Sequence, residues 1–208
     1  MPIFESKKSP FILAQLGSIG LAMLIFIFSL LVGRDTVFLA WNADLGPLAD
    51  QFFSFITNLA EGWIWIPYLL IVFGWYKKDL VFILLSFLSS TLLTQLPKNY
   101  IWPNVNRPIA SGIEVSKIHT VVGVEVHTYN SFPSGHTATA FILFFLTVYF
   151  FPNKKVFWMG AAYAILCGYS RIYLGQHFPI DVAGGIIAAI LSFQISIWIR
   201  GKINSTTF

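Results

Sequence analysis

Long apolar stretches, separated by short polar ones, run through the whole chain. Six read as membrane-crossing helices: 11–32, 62–76, 80–96, 136–151, 156–174 and 179–199. A spanning helix needs about 20 apolar residues, so the second, third and fourth are expected to extend into flanking polar positions. A further apolar stretch, 45–59, carries Asp50, Gln51 and Asn58 and reads as an interfacial or partly buried helix. The pattern predicts an all-α, polytopic membrane protein with six transmembrane helices. It forms a single domain over 1–208, with a long loop, 97–133, after the third span.

Composition agrees with this reading. The 208 residues are 56% hydrophobic and 11% charged, against about 25% charged in a typical soluble domain. Lys7 and Lys8 precede the first stretch, as in a signal peptide. Its apolar run is too long for one, and no small-x-small cleavage site follows before Arg34, so it reads as a retained anchor. The single cysteine, Cys167, lies in an apolar run and excludes an internal disulfide. The net charge of +4 shows no nucleic-acid footprint.

The distribution of charge sets the orientation. With the N-terminus in the cytoplasm, the inner segments hold Lys7, Lys8, Lys77, Lys78, Lys154, Lys155, Arg200 and Lys202, and the outer ones Arg34, Lys98, Arg107, Lys117 and Arg171. All four inner segments are then basic, as the positive-inside rule requires. Most acidic residues fall outside, among them Asp35, Asp44 and Asp50, which together with Asn42 read as a solvated stretch.

Two motifs open onto that outer face. Pro133-Ser134-Gly135-His136 begins the fourth span. A helix N-terminus offers free N–H groups and a positive dipole end to an anion, glycine allows close backbone approach, and a histidine there can trade protons with a departing or attacking oxygen. Ser170-Arg171, His177 and Asp181 bracket the turn from the fifth to the sixth span. Spacing of four brings His177 and Asp181 together on one helical turn. A carboxylate on one ring nitrogen fixes the tautomer and frees the other to attack. Lys98 and Arg107-Pro108, in the loop after the third span, add cations of the kind that clamp a phosphoryl group. Each piece alone has a bland reading: an N-cap, an interfacial histidine, a snorkelling lysine.

Jointly, in this order, the motifs resemble the type 2 phosphatidic acid phosphatase superfamily. Its signature is a lysine followed by Arg-Pro, then Pro-Ser-Gly-His, then Ser-Arg-x5-His-x3-Asp, and the last two parts match without change. The resemblance covers about residues 62–196. It implies an integral membrane lipid phosphatase that requires neither metal nor other cofactor; the sequence makes no obligatory protein partner evident. By position, His177 resembles the nucleophile, Asp181 its orienting carboxylate and His136 the general acid. Lys98, Arg107, Ser134, Gly135 and Arg171 resemble the phosphate-binding residues. One departure stands out: eight residues separate Lys98 from Arg107, where the family usually has six, and a bulge at Trp102-Pro103 would still let Lys98 reach the site.

The resemblance admits several substrates. Lipid A phosphate and undecaprenyl diphosphate are favoured, because 124–132 looks similar to bacterial members. Phosphatidylglycerophosphate and phosphatidic acid stay open. A bacterial inner-membrane enzyme facing the periplasm is the implied setting. A lipid transporter or flippase is an alternative, although the ionisable residues gather at one face instead of running through the bilayer. A vanadate-dependent haloperoxidase is a second, disfavoured by the membrane architecture. Of the remaining polar residues, His119 and His127, with Glu114 and Glu125 nearby, lack compact metal-ligand spacing and read as a solvated lid. Thr91 and Thr94 are expected to bond within their own helix.

Overall fold

The computed structural model describes residues 3–205, with side chains over 10–203. Lys7 and Lys8, used above for orientation, have side chains outside that range. Eight α-helices carry the chain, with no strand among the described residues: α1 (Ile3–Val32), α2 (Arg34–Trp41), α3 (Pro47–Asn58), α4 (Trp65–Trp75), α5 (Leu80–Leu96), α6 (Gly135–Phe150), α7 (Lys154–Tyr173) and α8 (Pro179–Ser205). The third predicted stretch coincides with α5, and the fourth and fifth lie within two residues of α6 and α7.

The expectation of six spans meets a more graded picture. Pro10–Val32, Lys77–Ile101 and Pro179–Ile203 are long and apolar enough to cross a membrane. The segments Pro47–Asn58 and Gly62–Trp75 pass together as a pair bent by 57°, so the stretch read as interfacial and the second predicted span form one broken unit. By itself α6 is too short, and α7 does not reach the required apolarity over its 20 residues. The physical reason is enclosure. The middle of α6, including Phe141, Phe144, Phe145 and Leu146, is buried against α1, α5, α7 and α8. A helix packed in protein over most of its surface needs less lipid-compatible length than one facing acyl chains.

From α4 to α8 successive helices alternate in direction, and this positions the site. The C-terminal ends of α5 and α7 meet the N-terminal ends of α6 and α8 at one end of the bundle. At the other end Arg200 pairs with Asp79 and donates to the Tyr149 hydroxyl (3.0 Å), while Tyr76 donates to the Phe150 carbonyl (3.3 Å). Lys77 and Lys78, on the short connection from α4 to α5, and Lys154 and Lys155, the first residues of α7, lie at this second end.

Close approach of α8 to the start of α6 depends on two glycines. A Cβ on Gly185 would lie 2.5 Å from the Ser134 carbonyl oxygen and 2.8 Å from Thr137 Cβ. One on Gly184 would lie 2.4 Å from the Phe132 ring. Only a missing side chain permits this contact. It is reinforced by the Ser134 N–H, which donates to the Asp181 carbonyl at 2.9 Å.

Candidate active site

The turn between α7 and α8 is built by the backbone. The amides of Gln176 and His177 both donate to the Arg171 carbonyl (2.9 and 3.1 Å), folding the segment back over the end of α7. Pro179 then starts α8, where its lack of an N–H costs nothing. His177 is 1% exposed and Asp181 2%. Their contact runs from His177 Nδ1 to Asp181 Oδ2 at 3.4 Å. The same carboxylate oxygen accepts from the Ser131 hydroxyl (2.5 Å) and the Phe178 amide (2.9 Å). Asp181 is thus held from three directions. With Nδ1 facing Asp181, Nε2 is the nitrogen left for chemistry.

Lys98, Arg107, Gly135, His136, Arg171 and His177 line one cavity of about 500 Å³. The extra residues between Lys98 and Arg107 are absorbed first by a π-helical turn, Pro97–Ile101, which prolongs α5 and leaves Lys98 buried. The chain then turns irregularly through Asn104, whose φ is +64°. Lys98 therefore shares the cavity with the other cations despite its shifted spacing.

Arg107 is held by carbonyls. Its Nε donates to Tyr129 O (2.8 Å), and one Nη donates to both the carbonyl and the side-chain oxygen of Gln176 (3.1 and 3.2 Å). Arg171 reaches across to α3 and donates to the Thr57 hydroxyl at 2.5 Å. Arg171 Nε and His136 Nε2 are buried with no hydrogen-bond partner among the described residues. Unpaired buried polar groups are costly. The Arg171 donor, on the wall of a cationic cavity, suits an anion carrying several acceptor oxygens. Burial, with Arg107, Lys98 and Arg171 nearby, holds the His177 imidazole well below the ordinary histidine range, which favours the neutral ring.

Two predicted site residues stand behind the wall. Asp181 contacts His177 only from the rear. The Ser134 hydroxyl caps α6, accepting from the Thr137 amide (3.4 Å) and hydroxyl (2.9 Å), and does not line the cavity. Thr57 and Gln176 carry no sequence signal, and Ser131 only its place just before the Pro-Ser-Gly-His motif. Ser131, Thr57 and Gln176 act through contacts 50, 114 and 69 residues apart in sequence. Glu61, another wall residue, places Oε1 3.9 Å from His136 Nε2.

Contacts between the 97–133 loop and the α2–α3 segment correct the sequence reading in two respects. Asn42, expected in solvent, is buried and accepts from the His119 amide (2.7 Å). Its Nδ2 donates to the carbonyls of His119, Ile172 and Tyr173 (3.0, 3.0 and 2.8 Å). Asp50 receives the Tyr173 hydroxyl (2.6 Å) and pairs with His119 Nε2 (3.0 Å). His119 is thereby docked against the last turn of α7, while His127 lines the cavity shared by His136 and His177. Asp44, Asp50 and His119 bring ligand-type atoms within 4.8 Å of one another, but Asp44 Oδ1 accepts the Gly46 amide and Asp50 Oδ1 serves the contacts just described. Thr91 and Thr94 bond within α5 as expected.

Comparison with known proteins gives this geometry a context. The chain is 31% identical over 161 residues to the lipid A 4'-phosphatase of Porphyromonas gingivalis, covering 74% of this chain and 67% of that one. It is 38% identical over 74 residues to the undecaprenyl-diphosphatase BcrC of Bacillus subtilis, covering 35% and 37%. Among solved structures it resembles Aquifex aeolicus LpxE, with TM-score 0.66 and 31% identity over 78% of this chain and 93% of that one. It also resembles a transmembrane PAP2 type phosphatidylglycerolphosphate phosphatase from Bacillus subtilis, with TM-score 0.65 and 26% identity over 94% and 98%. Residues 79–205, which contain every motif named above, match the PAP2 superfamily, and the chain belongs to that family of membrane phosphatases.

Proposed function

We propose that this protein hydrolyses the phosphate monoester or diphosphate of an outer-leaflet lipid through a phosphohistidine intermediate. The observation that carries this reading is the shared cavity, in which His136, His177 and three buried cations face one another. His177 Nε2 attacks phosphorus while Asp181 holds the Nδ1 proton. The bond from phosphorus to the lipid oxygen breaks, and His136 gives that oxygen its proton. Lys98, Arg107 and Arg171 bind the three equatorial oxygens of the transferring group, and the N-terminus of α6 at Gly135 adds backbone N–H donors. Water then attacks the phosphohistidine, His136 takes its proton, the P–N bond breaks and inorganic phosphate leaves. Side-chain cations meet the charge demand, so no step requires a metal.

Trp65, Phe87 and Thr91 carry the cavity down between α4 and α5, and a lipid headgroup enters from the bilayer by that side. The chain crosses a bacterial inner membrane six times, with the site facing the periplasm. Supporting this orientation, Lys77, Lys78, Lys154, Lys155 and Arg200 lie at the end of the bundle away from the cavity.

Lipid A phosphate and undecaprenyl diphosphate are the favoured substrates, on the names of the relatives. A phosphatidylglycerophosphate reading is favoured by the near full-length likeness to the Bacillus subtilis structure. The test is phosphate release by purified protein in detergent with chelator present, each of the three lipids assayed separately and His177→Ala as the blank. Strong turnover of one lipid assigns the substrate. Wild-type turnover by His177→Ala would eliminate the mechanism.

A further inference from the structure

His136 has a proton to manage and no partner with which to manage it. Its Nε2 is buried without a hydrogen bond among the described residues. The nearest carboxylate is Glu61 Oε1 at 3.9 Å, just outside hydrogen-bond reach. Glu61 is also the one acidic side chain on a cavity wall that carries Lys98, Arg107 and Arg171. An anion there opposes binding of a phosphate, so simple affinity gives no reason for it.

The position of Glu61 suits movement. It lies in the break between α3 and α4, where the two helices bend by 57°, and just precedes the short turn Gly62–Ile64. Its side chain is 45% exposed, free to change rotamer. Closing about 1 Å brings it into hydrogen-bond range of Nε2.

Resting on the phosphatase reading above, we propose that Glu61 is a positioning residue for His136. It accepts a hydrogen bond from Nε2–H of the imidazolium and holds the ring so that Nδ1–H gives its proton to the departing lipid oxygen, acting through His136 without touching the phosphoryl group. Its influence is then confined to substrates whose leaving oxygen needs that proton. An alkoxide needs it strongly. A phenolate, whose parent phenol has a pKa of about 10, needs it far less.

The test compares two detergent-soluble probes with the same tail, dodecyl phosphate and 4-dodecylphenyl phosphate, using purified wild-type protein, Glu61→Gln and Glu61→Asp. General acid–base catalysis contributes about 10²- to 10⁴-fold, and loss of its positioning is expected to remove about the lower part of that range. Glu61→Gln should lower kcat on the alkyl ester about 100-fold and on the aryl ester by less than about fivefold, at similar KM. Glu61→Asp should recover part of the alkyl activity. Equal losses on both probes would make Glu61 a merely structural residue, and an unchanged kcat with lower KM would make it only a repulsive charge. Either overturns the proposal while leaving the phosphatase reading intact. Failure of that reading shows differently, as wild-type levels of hydrolysis by His177→Ala, or as folded wild-type protein inert on both probes and on the three lipids.

Discussion

Substituting Gly185 by alanine tests how the two histidine motifs are held in register. The added Cβ would lie 2.5 Å from the Ser134 carbonyl oxygen, 2.8 Å from Thr137 Cβ and 3.3 Å from the Ala138 nitrogen. Comfortable carbon contacts lie near 3.5–4.0 Å, so α8 and the first turn of α6 must separate by about 1 Å. Both nearest neighbours belong to the α6 turn, and the Ser134 oxygen is backbone, so a flexible side chain cannot absorb the strain. Overpacking of this kind costs about 1–3 kcal/mol. The catalytic consequence is larger than the loss of stability. His136 rides on the displaced turn and His177 on the other side of the contact, and a misplacement of about 1 Å costs about 100-fold in rate. Gly185→Ala is therefore expected to fold with a lowered melting temperature in detergent and to lose about two orders of magnitude in kcat. Phosphate release and a thermal melt on the same preparation measure both. Gly20→Ala, which meets nothing within 4 Å, is the control and should behave as wild type. Full activity in Gly185→Ala would refute the view that this glycine contact sets the distance between the motifs.

Three further outcomes are expected. Ser131→Ala removes the 2.5 Å hydrogen bond to Asp181, worth about 1.5–3 kcal/mol to a charged acceptor; steady-state kinetics should show a fall of about tenfold or more in kcat with little change in KM, and an unaltered kcat would mean that Asp181 needs no such support. Asn42→Ala leaves the carbonyls of Ile172 and Tyr173 without their Asn42 donor, at about 1–3 kcal/mol for each buried group that loses its partner, so its thermal midpoint should drop clearly; a melt matching wild type would show that water replaces the clamp. Because burial and neighbouring cations hold His177 below the ordinary range, histidine NMR, assigned with His177→Ala, should find its ring neutral at about pH 6.5, where a free histidine is half protonated, whereas a midpoint there would contradict the downward shift. The sign of the linked stability follows: below about pH 6.5 the unfolded chain binds a proton that folded His177 refuses, so this residue's contribution is full above that pH and lost as pH falls.

The helical plan was legible because apolar runs and polar breaks are local signals. Leu80–Leu96 and the starts of α6 and α8 are marked by charge, serine or proline beside an apolar run. The exact membrane status of α6 and α7 was less legible, since hydropathy does not distinguish a helix facing lipid from one enclosed by others. The motif residues were visible as residue types at fixed spacing, and the cavity gathers Lys98, Arg107, Gly135, His136, Arg171 and His177. Their supports were not visible. Asn42 and Asp50 resemble solvated loop residues until the fold brings the end of α7 and His119 against them. Ser131 gains meaning only through Asp181, 50 positions later. The serine inside the motif, Ser134, caps its helix, whereas the serine just before it holds the carboxylate.

The central claim is that His177 carries the phosphoryl group. The direct measurement mixes purified protein with phosphorus-32-labelled lipid phosphate, quenches the reaction within milliseconds in alkali and recovers the protein. The account predicts a base-stable, acid-labile label on the wild-type chain that maps to His177, is absent from His177→Ala and accumulates when His136 is replaced together with an activated leaving group. Turnover of the lipid with no label on the wild-type protein at any quench time, or an undiminished label on His177→Ala, would contradict it.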